Sequence, residues 1–189
     1  MPRLFVALPL PDRLRAAVEE LQSGLRTVRW LDGDSLHLTL AFIGEVEGSA
    51  QLRIEAALAG VTARALRMEL HGLGCFPPRG APRVLWTGAS PKAELASLAR
   101  SVRHALGRAG RAPERRRFMP HVTIARFRPP PSAVELERYL AAHSLFRTER
   151  ADVAAFHLFS SKLRSTGTQY TIETTYPLTS VPRDNHGTE

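Results

Sequence analysis

Two histidines in this chain stand in the same local pattern. "HLTLAFIG" begins with His37 and carries Thr39 two positions on, and "HVTIARF" does the same with His121 and Thr123. Both stretches are runs of strand-forming residues, and in an extended strand alternate side chains share a face. Strict alternation puts His37, Thr39 and Ala41 on one face, with Leu38, Leu40 and Phe42 on the other. In the second run His121, Thr123 and Ala125 oppose Val122 and Ile124. Each strand then has one side suited to a core and one that bears a titratable ring beside a hydroxyl. Imidazole, with an ordinary pKa of about 6.5, exists in both protonation states near neutral pH. A pair of histidines can therefore supply a proton donor and a proton acceptor together. A threonine hydroxyl beside each ring can hydrogen-bond an oxygen of whatever lies between them. A third His-x-Thr, His186 with Thr188, falls in the polar tail "RDNHGTE" and has no strand around it.

The elements that must carry these strands follow from periodicity and punctuation. "RLFVALPL" reads as a strand closed by prolines, "PDRLRAAVEELQSGL" as a helix, and "TVRW" as a short strand ahead of the first motif. After that motif "GSAQLRIEAALAG" is predicted as a helix with Ala50, Ile54, Ala57 and Leu58 as its apolar stripe. The strands "LRMELHGLGCF" and "PRVLWTGA" follow, joined by the turn cluster "PPRGAP". Beyond the helix "PKAELASLARSVRHALGRAG" the order runs again: the strand "HVTIARF", the helix "PSAVELERYLAA", then the strands "DVAAFHLFSSKL" and "TQYTIETTYPL". An internal duplication accounts for this order, with two similar lobes of sheet and helix that bring both histidines into one cleft. The domain reading is a single bilobal unit over 1–179 and a polar, disordered tail over 180–189.

Composition narrows the class. A chain of 189 residues with 43% hydrophobic content is long enough for one sizeable core. No apolar run approaches a membrane span and the N-terminal stretch lacks a signal-peptide pattern, so the expectation is a cytoplasmic protein with no membrane partner. Cys75 is the single cysteine, which excludes an internal disulfide and a cysteine-based metal site; its plain reading is a small buried apolar residue. The formal charge of +8 points to an acidic partner, RNA first. Much of that charge clusters locally, with Arg115, Arg116 and Arg117 just before the second motif and Arg126 and Arg128 in and after it. Alternation puts Arg126 on the face opposite His121, so a role beside that ring requires a bulge, a strand end or a side chain curling round an edge. Phe118 and Tyr170 could stack a base, though packing suits both, and His71, His104, His143 and His157 read as structural or surface residues.

"VRWLDGDSLHLTLAFIG", "PRVLWTGA", "FMPHVTIAR" and "FHLFSSKLRSTGTQYTI" together resemble the two-histidine phosphoesterases. The likeness is greatest to the RNA 2′,3′-cyclic phosphodiesterases, once described as 2′-5′ RNA ligases, and it runs from about Arg3 to about Leu178. The resemblance implies an α+β fold of two pseudo-symmetric lobes, with antiparallel sheets flanked by helices around a central cleft. It implies a monomer, an RNA end bearing a 2′,3′-cyclic phosphate as substrate (tRNA halves among the candidates), no metal and no cofactor. His37 matches the family's general acid and His121 its general base, and Arg126 falls where the family carries an arginine after the second motif.

The chemistry accounts for those residue types. A cyclic phosphate opens when water attacks phosphorus in line with the departing ribose oxygen, so one group must take the water's proton while another protonates the leaving oxygen. Thr39 and Thr123 can hold non-bridging oxygens, and an arginine gains strength as charge builds on the pentavalent state. Run backwards, the same site joins a cyclic end to a 5′-hydroxyl end, and a related pocket cuts 2′-5′ linked oligonucleotides. Two further readings compete. A metal site on the histidines lacks neighbouring carboxylates at ligand spacing, since Asp32, Asp34 and Glu45 suit turns. A non-catalytic RNA-binding sheet wants aromatic residues at the exposed strand positions where this chain has His and Thr.

Overall fold

A computed structural model describes residues 3–111, 117–164 and 167–179, and within them the chain forms nine strands and four helices. In chain order these are β1 (Arg3–Pro9), α1 (Asp12–Glu19), β2 (Val28–Trp30), β3 (His37–Glu45), α2 (Gly48–Ala59), β4 (Leu66–Phe76), β5 (Val84–Ser90), α3 (Lys92–Arg108), β6 (His121–Phe127), α4 (Ala133–Ala142), β7 (Ala151–Val153), β8 (Ala155–Arg164) and β9 (Gly167–Pro177). The strands build two antiparallel sheets, one in the order β3-β1-β8-β9 and the other β2-β6-β5-β4-β7. This is the α+β architecture that the sequence implies. The chain from 180 onward, with His186 and Thr188, lies outside the described residues.

The pairing departs from a local reading in one respect. The hairpin β4-β5 follows the first His-x-Thr strand yet pairs with the second, β6, while the hairpin β8-β9 follows β6 and joins the sheet of β3. Each sheet therefore draws on both halves of the chain. The run read as one strand, "DVAAFHLFSSKL", divides at Ala154 for the same reason. Its first piece, β7, pairs with β4, and its second, β8, pairs with β1 in the other sheet.

One apolar core serves both sheets. Leu4, Val6, Leu8, Leu38 and Leu40 from the first sheet and Leu70, Leu85, Val122, Ile124 and Phe127 from the second belong to a continuous buried cluster. The helices close it: α1 contributes Leu14 and Val18, α2 Ala50, Ile54 and Leu58, and α3 Leu95, Leu98, Val102 and Leu106 at three- and four-residue spacing. Each such Leu or Ile contributes roughly 1.5–3 kcal/mol on leaving water. The consequence for function is geometric. With one face of β3 and of β6 committed to this core, the other face of each is left open, and α3 packs behind β3 while β3 itself lies against β6.

Candidate active site

His37 begins β3 and Thr39 follows on the same face, each half-buried between the fully buried Leu38 and Leu40. Alternation then breaks. Thr39 pairs with Ala7 and Ala41 with Val6, so Leu40 is an extra residue on β3, a β-bulge. Leu40 and Ala41 both turn into the core, at 1% and 3% exposure, and Phe42 emerges on the open face at 68%. This reverses the expectation for both residues: Ala41 belongs to the core and Phe42 to the face of His37, where its ring lies 5.9 Å from Phe5.

The second strand repeats the irregularity. Thr123 pairs with Trp86 and Ala125 with Leu85, which leaves Ile124 as the extra residue. Ile124 and Ala125 are fully buried, Phe127 follows them into the core, and Arg126 comes out exposed. Ala125 is thus corrected from the open face to the core, and Arg126 from the far face to the face of His121 and Thr123. The bulge is the physical reason, since one inserted residue inverts the facing of everything beyond it. Because the two bulges fall at corresponding points, Phe42 holds on β3 the place that Arg126 holds on β6.

Around each imidazole the sheets supply aromatic walls that the sequence did not disclose. The His37 ring lies 4.9 Å from Phe5, 6.1 Å from Phe159 and 5.3 Å from Tyr170, the last edge-on. Phe5, Ala7 and Phe159 form a small apolar cluster apart from the main core, with Tyr170 packed against it. Ala7 sits between Thr39 and His157 in the register, buried in this cluster. His121 has Phe76 edge-on at 5.1 Å and Trp86 at 6.2 Å. Trp86 lies flat over Gly74, where a Cβ would collide with the indole. Gly88 pairs with His121 on one side and His71 on the other, and a Cβ there would come within 2.9 Å of the His71 carbonyl oxygen. Apolar strand residues can face either way, so only the pairing reveals which of these aromatics line the site.

The electrostatics of His121 are well defined. Its Nδ1 lies 2.7 Å from the Met119 carbonyl oxygen. A carbonyl only accepts, so Nδ1 carries the hydrogen and Nε2 is the lone-pair nitrogen of the neutral ring. Burial pushes the His121 pKa below its usual value of 6.5, with the Met119 hydrogen bond acting in the opposite direction. The ring is therefore neutral at physiological pH. Elsewhere burial raises the Cys75 thiol to about 11, so it is protonated and no nucleophile.

The remaining candidates divide. Phe118 packs against the core with Arg103 stacked 5.8 Å above its ring, a structural role. Tyr170 stands at the edge of His37. Arg117 is exposed, while Arg115 and Arg116 lie outside the described residues. His104 is exposed and His143 bonds the Tyr139 carbonyl at the end of α4. His157, read as a structural or surface residue, shares the open face of the first sheet through its pairing with Ala7, and its Nδ1 meets Thr175 Oγ1 at 2.8 Å. Among the described residues no group of three His, Cys, Asp or Glu side chains is placed to hold a metal ion, and no helix is long and apolar enough to cross a membrane.

The family model of the 2′-5′ RNA ligase superfamily matches residues 10–163, and the chain belongs to that family. Among curated relatives, the RNA 2′,3′-cyclic phosphodiesterase of Archaeoglobus fulgidus is 34% identical over 89% of this chain and 96% of its own length. The enzyme of that name from Thermus thermophilus is 35% identical over 99% of this chain and 93% of its own. Among solved structures, Escherichia coli LigT complexed with 3′-AMP superposes with a TM-score of 0.75 at 27% identity, covering 95% of this chain and 99% of LigT. The Thermus thermophilus protein TT0787 gives 0.74 at 30% identity, with 94% and 98% covered.

Proposed function

We propose that this chain opens 2′,3′-cyclic phosphates at RNA ends to 2′-phosphomonoesters, without a metal, by paired histidine acid–base catalysis. His121 Nε2 takes a proton from the attacking water, and His37 gives one to the ribose 3′-oxygen as its bond to phosphorus breaks. Thr39 and Thr123 hydrogen-bond the non-bridging oxygens. Arg126 answers the charge that grows on them as phosphorus becomes five-coordinate, an interaction stronger in the transition state than in the bound substrate. Each proton transfer contributes typically 10²- to 10⁴-fold to the rate. In the reverse direction the histidines exchange roles: His121 protonates a departing water while His37 accepts the proton of an attacking hydroxyl. When a 5′-hydroxyl RNA end attacks the cyclic phosphate in place of water, with His121 again taking the proton and His37 protonating the departing 3′-oxygen, the site acts as a ligase.

The observation that carries this reading is the state of His121. Its Nδ1–H is committed to Met119, burial keeps the ring neutral, and its basic nitrogen is left for the substrate side. The two strands that bear the histidines lie against one another with both rings on faces turned from the core. The relatives' names supply the substrate class, and the His and Thr donors supply no carboxylate cage for a cation.

The test is product analysis of a short oligoribonucleotide ending in 2′,3′-cyclic phosphate, incubated with excess chelator. The expected product is a 2′-phosphate at an undiminished rate. A 3′-phosphate product, loss of activity in chelator, or binding without turnover each overturns the reading, the last in favour of a non-catalytic RNA-binding sheet.

A further inference from the structure

On the open face of the second sheet two arginines stand directly opposite each other. Arg29, in the middle of β2, pairs with Arg126 on β6, and directly paired residues project to the same side. The neighbours of Arg29 confirm its facing: Val28 pairs with Phe127 and Trp30 with Ala125, and both pack against the core, leaving Arg29 exposed beside Arg126. Like charges at opposed positions of a sheet repel. Among the described residues the ion pairs engage Arg3, Arg13, Arg15, Arg67, Arg147 and Arg150, and none engages Arg29 or Arg126. β2 needs only a polar residue at its exposed centre, and a glutamate at position 29 would have paired with Arg126. The sequence places a second cation there instead.

Resting on the function proposed above, we infer that Arg29 forms a second anion subsite, which holds the phosphodiester on the 5′ side of the cyclic phosphate, with Arg126 standing between that anion and the cyclic phosphate. Along β6 Arg126 comes three residues after Thr123, and because Ile124 is taken up in the bulge the two stand two strand positions apart, opposite Val84 and Trp86 of β5, roughly 7 Å. Arg29 lies one strand further out. A terminal phosphate bound at His121 and Thr123, with Arg126 on its near side, leaves the next phosphodiester of the strand within reach of Arg29. The guanidinium fork suits phosphate oxygens bidentately, and successive phosphates seated at Arg126 and Arg29 offset the repulsion between the paired arginines. The subsite makes Arg29 a specificity residue: it recognises an RNA strand, which has an upstream phosphodiester, over a cyclic mononucleotide, which has none.

The experiment compares kcat/KM for a 2′,3′-cyclic mononucleotide and for a trinucleotide with the same end, across a salt series, in the wild type and in Arg29→Gln and Arg29→Glu. The trinucleotide value should fall about tenfold more than the mononucleotide value in Arg29→Gln, through KM, as expected for a lost charged hydrogen bond. Its log–log salt slope should drop by about one. In Arg29→Glu the new carboxylate pairs with Arg126, so the melting temperature should hold or rise while trinucleotide affinity falls further. That combination separates a binding role from a structural one. Equal losses for the two substrates in Arg29→Gln, or an unchanged salt slope, overturn the subsite. A wild type that opens neither substrate instead overturns the function on which it rests.

Discussion

His121 donates its Nδ1–H to the carbonyl of Met119, two residues earlier, across 2.7 Å. The bond fixes the ring's tautomer and its direction together, so the nitrogen left on the open face is the basic one. Burial of the ring disfavours the imidazolium and lowers the pKa from 6.5. A general base works only when neutral. As pH falls the rate must therefore drop through the His121 pKa, and kcat/KM should have an acid limb whose midpoint lies below 6.5. An initial-rate profile on a cyclic mononucleotide checks this; an acid limb centred above pH 7 would contradict the assignment of His121 as base.

Trp86 stacks on a glycine, and that contact sets one wall of the His121 pocket. In Gly74→Ala the new Cβ would collide with the indole. Overpacking of this kind costs typically 1–3 kcal/mol. The variant should melt at a lower temperature, shift its tryptophan emission and lose turnover because Trp86 is displaced toward His121. A variant with wild-type stability and rate would mean that the ring moves freely and forms no wall.

The faces of His37, Thr39, His121 and Thr123 were legible because a period of two needs only the few residues around them. Arg126 was legible as a candidate but not as a neighbour of His121, since nothing in "HVTIARF" marks Ile124 as the inserted residue; the bulge exists only in its pairing with β5. The same holds for Phe42. Strand and helix positions followed from local pattern, but the exchange of hairpins between sheets did not, because "LRMELHGLGCF" carries no sign of which strand it will meet. Phe5, Phe159 and Trp86 stayed hidden for a related reason. In a run apolar on both faces, such as "LFVALP", alternation has no contrast to read.

Glu69 ties β4 to β5 and to the loop before β7. It accepts from the Ser90 hydroxyl at 3.0 Å and meets Arg150 and Arg147 at 3.4 and 3.7 Å. The Ser90 hydrogen bond first, and then the two guanidinium groups, hold its carboxyl below its usual 4.5. A carboxylate depressed in the folded state stabilises the fold above its unfolded pKa, and that contribution disappears as pH falls through the folded value. Urea midpoints measured from pH 7 downward should decline less steeply below 4.5 in Glu69→Gln than in the wild type. Parallel curves would show that these contacts do not outlast solvent screening.

The most direct test of the two-histidine account is single-turnover hydrolysis of a 2′,3′-cyclic end by His37→Ala, His121→Ala and the double variant, with Thr39→Ala and Thr123→Ala beside them. Each histidine variant should lose about 10²- to 10⁴-fold. The double variant should lose less than the product of the two, because both rings act in one transition state. The threonine variants should lose about tenfold or less, the worth of one neutral hydrogen bond. A near wild-type rate in either His37→Ala or His121→Ala would contradict the mechanism.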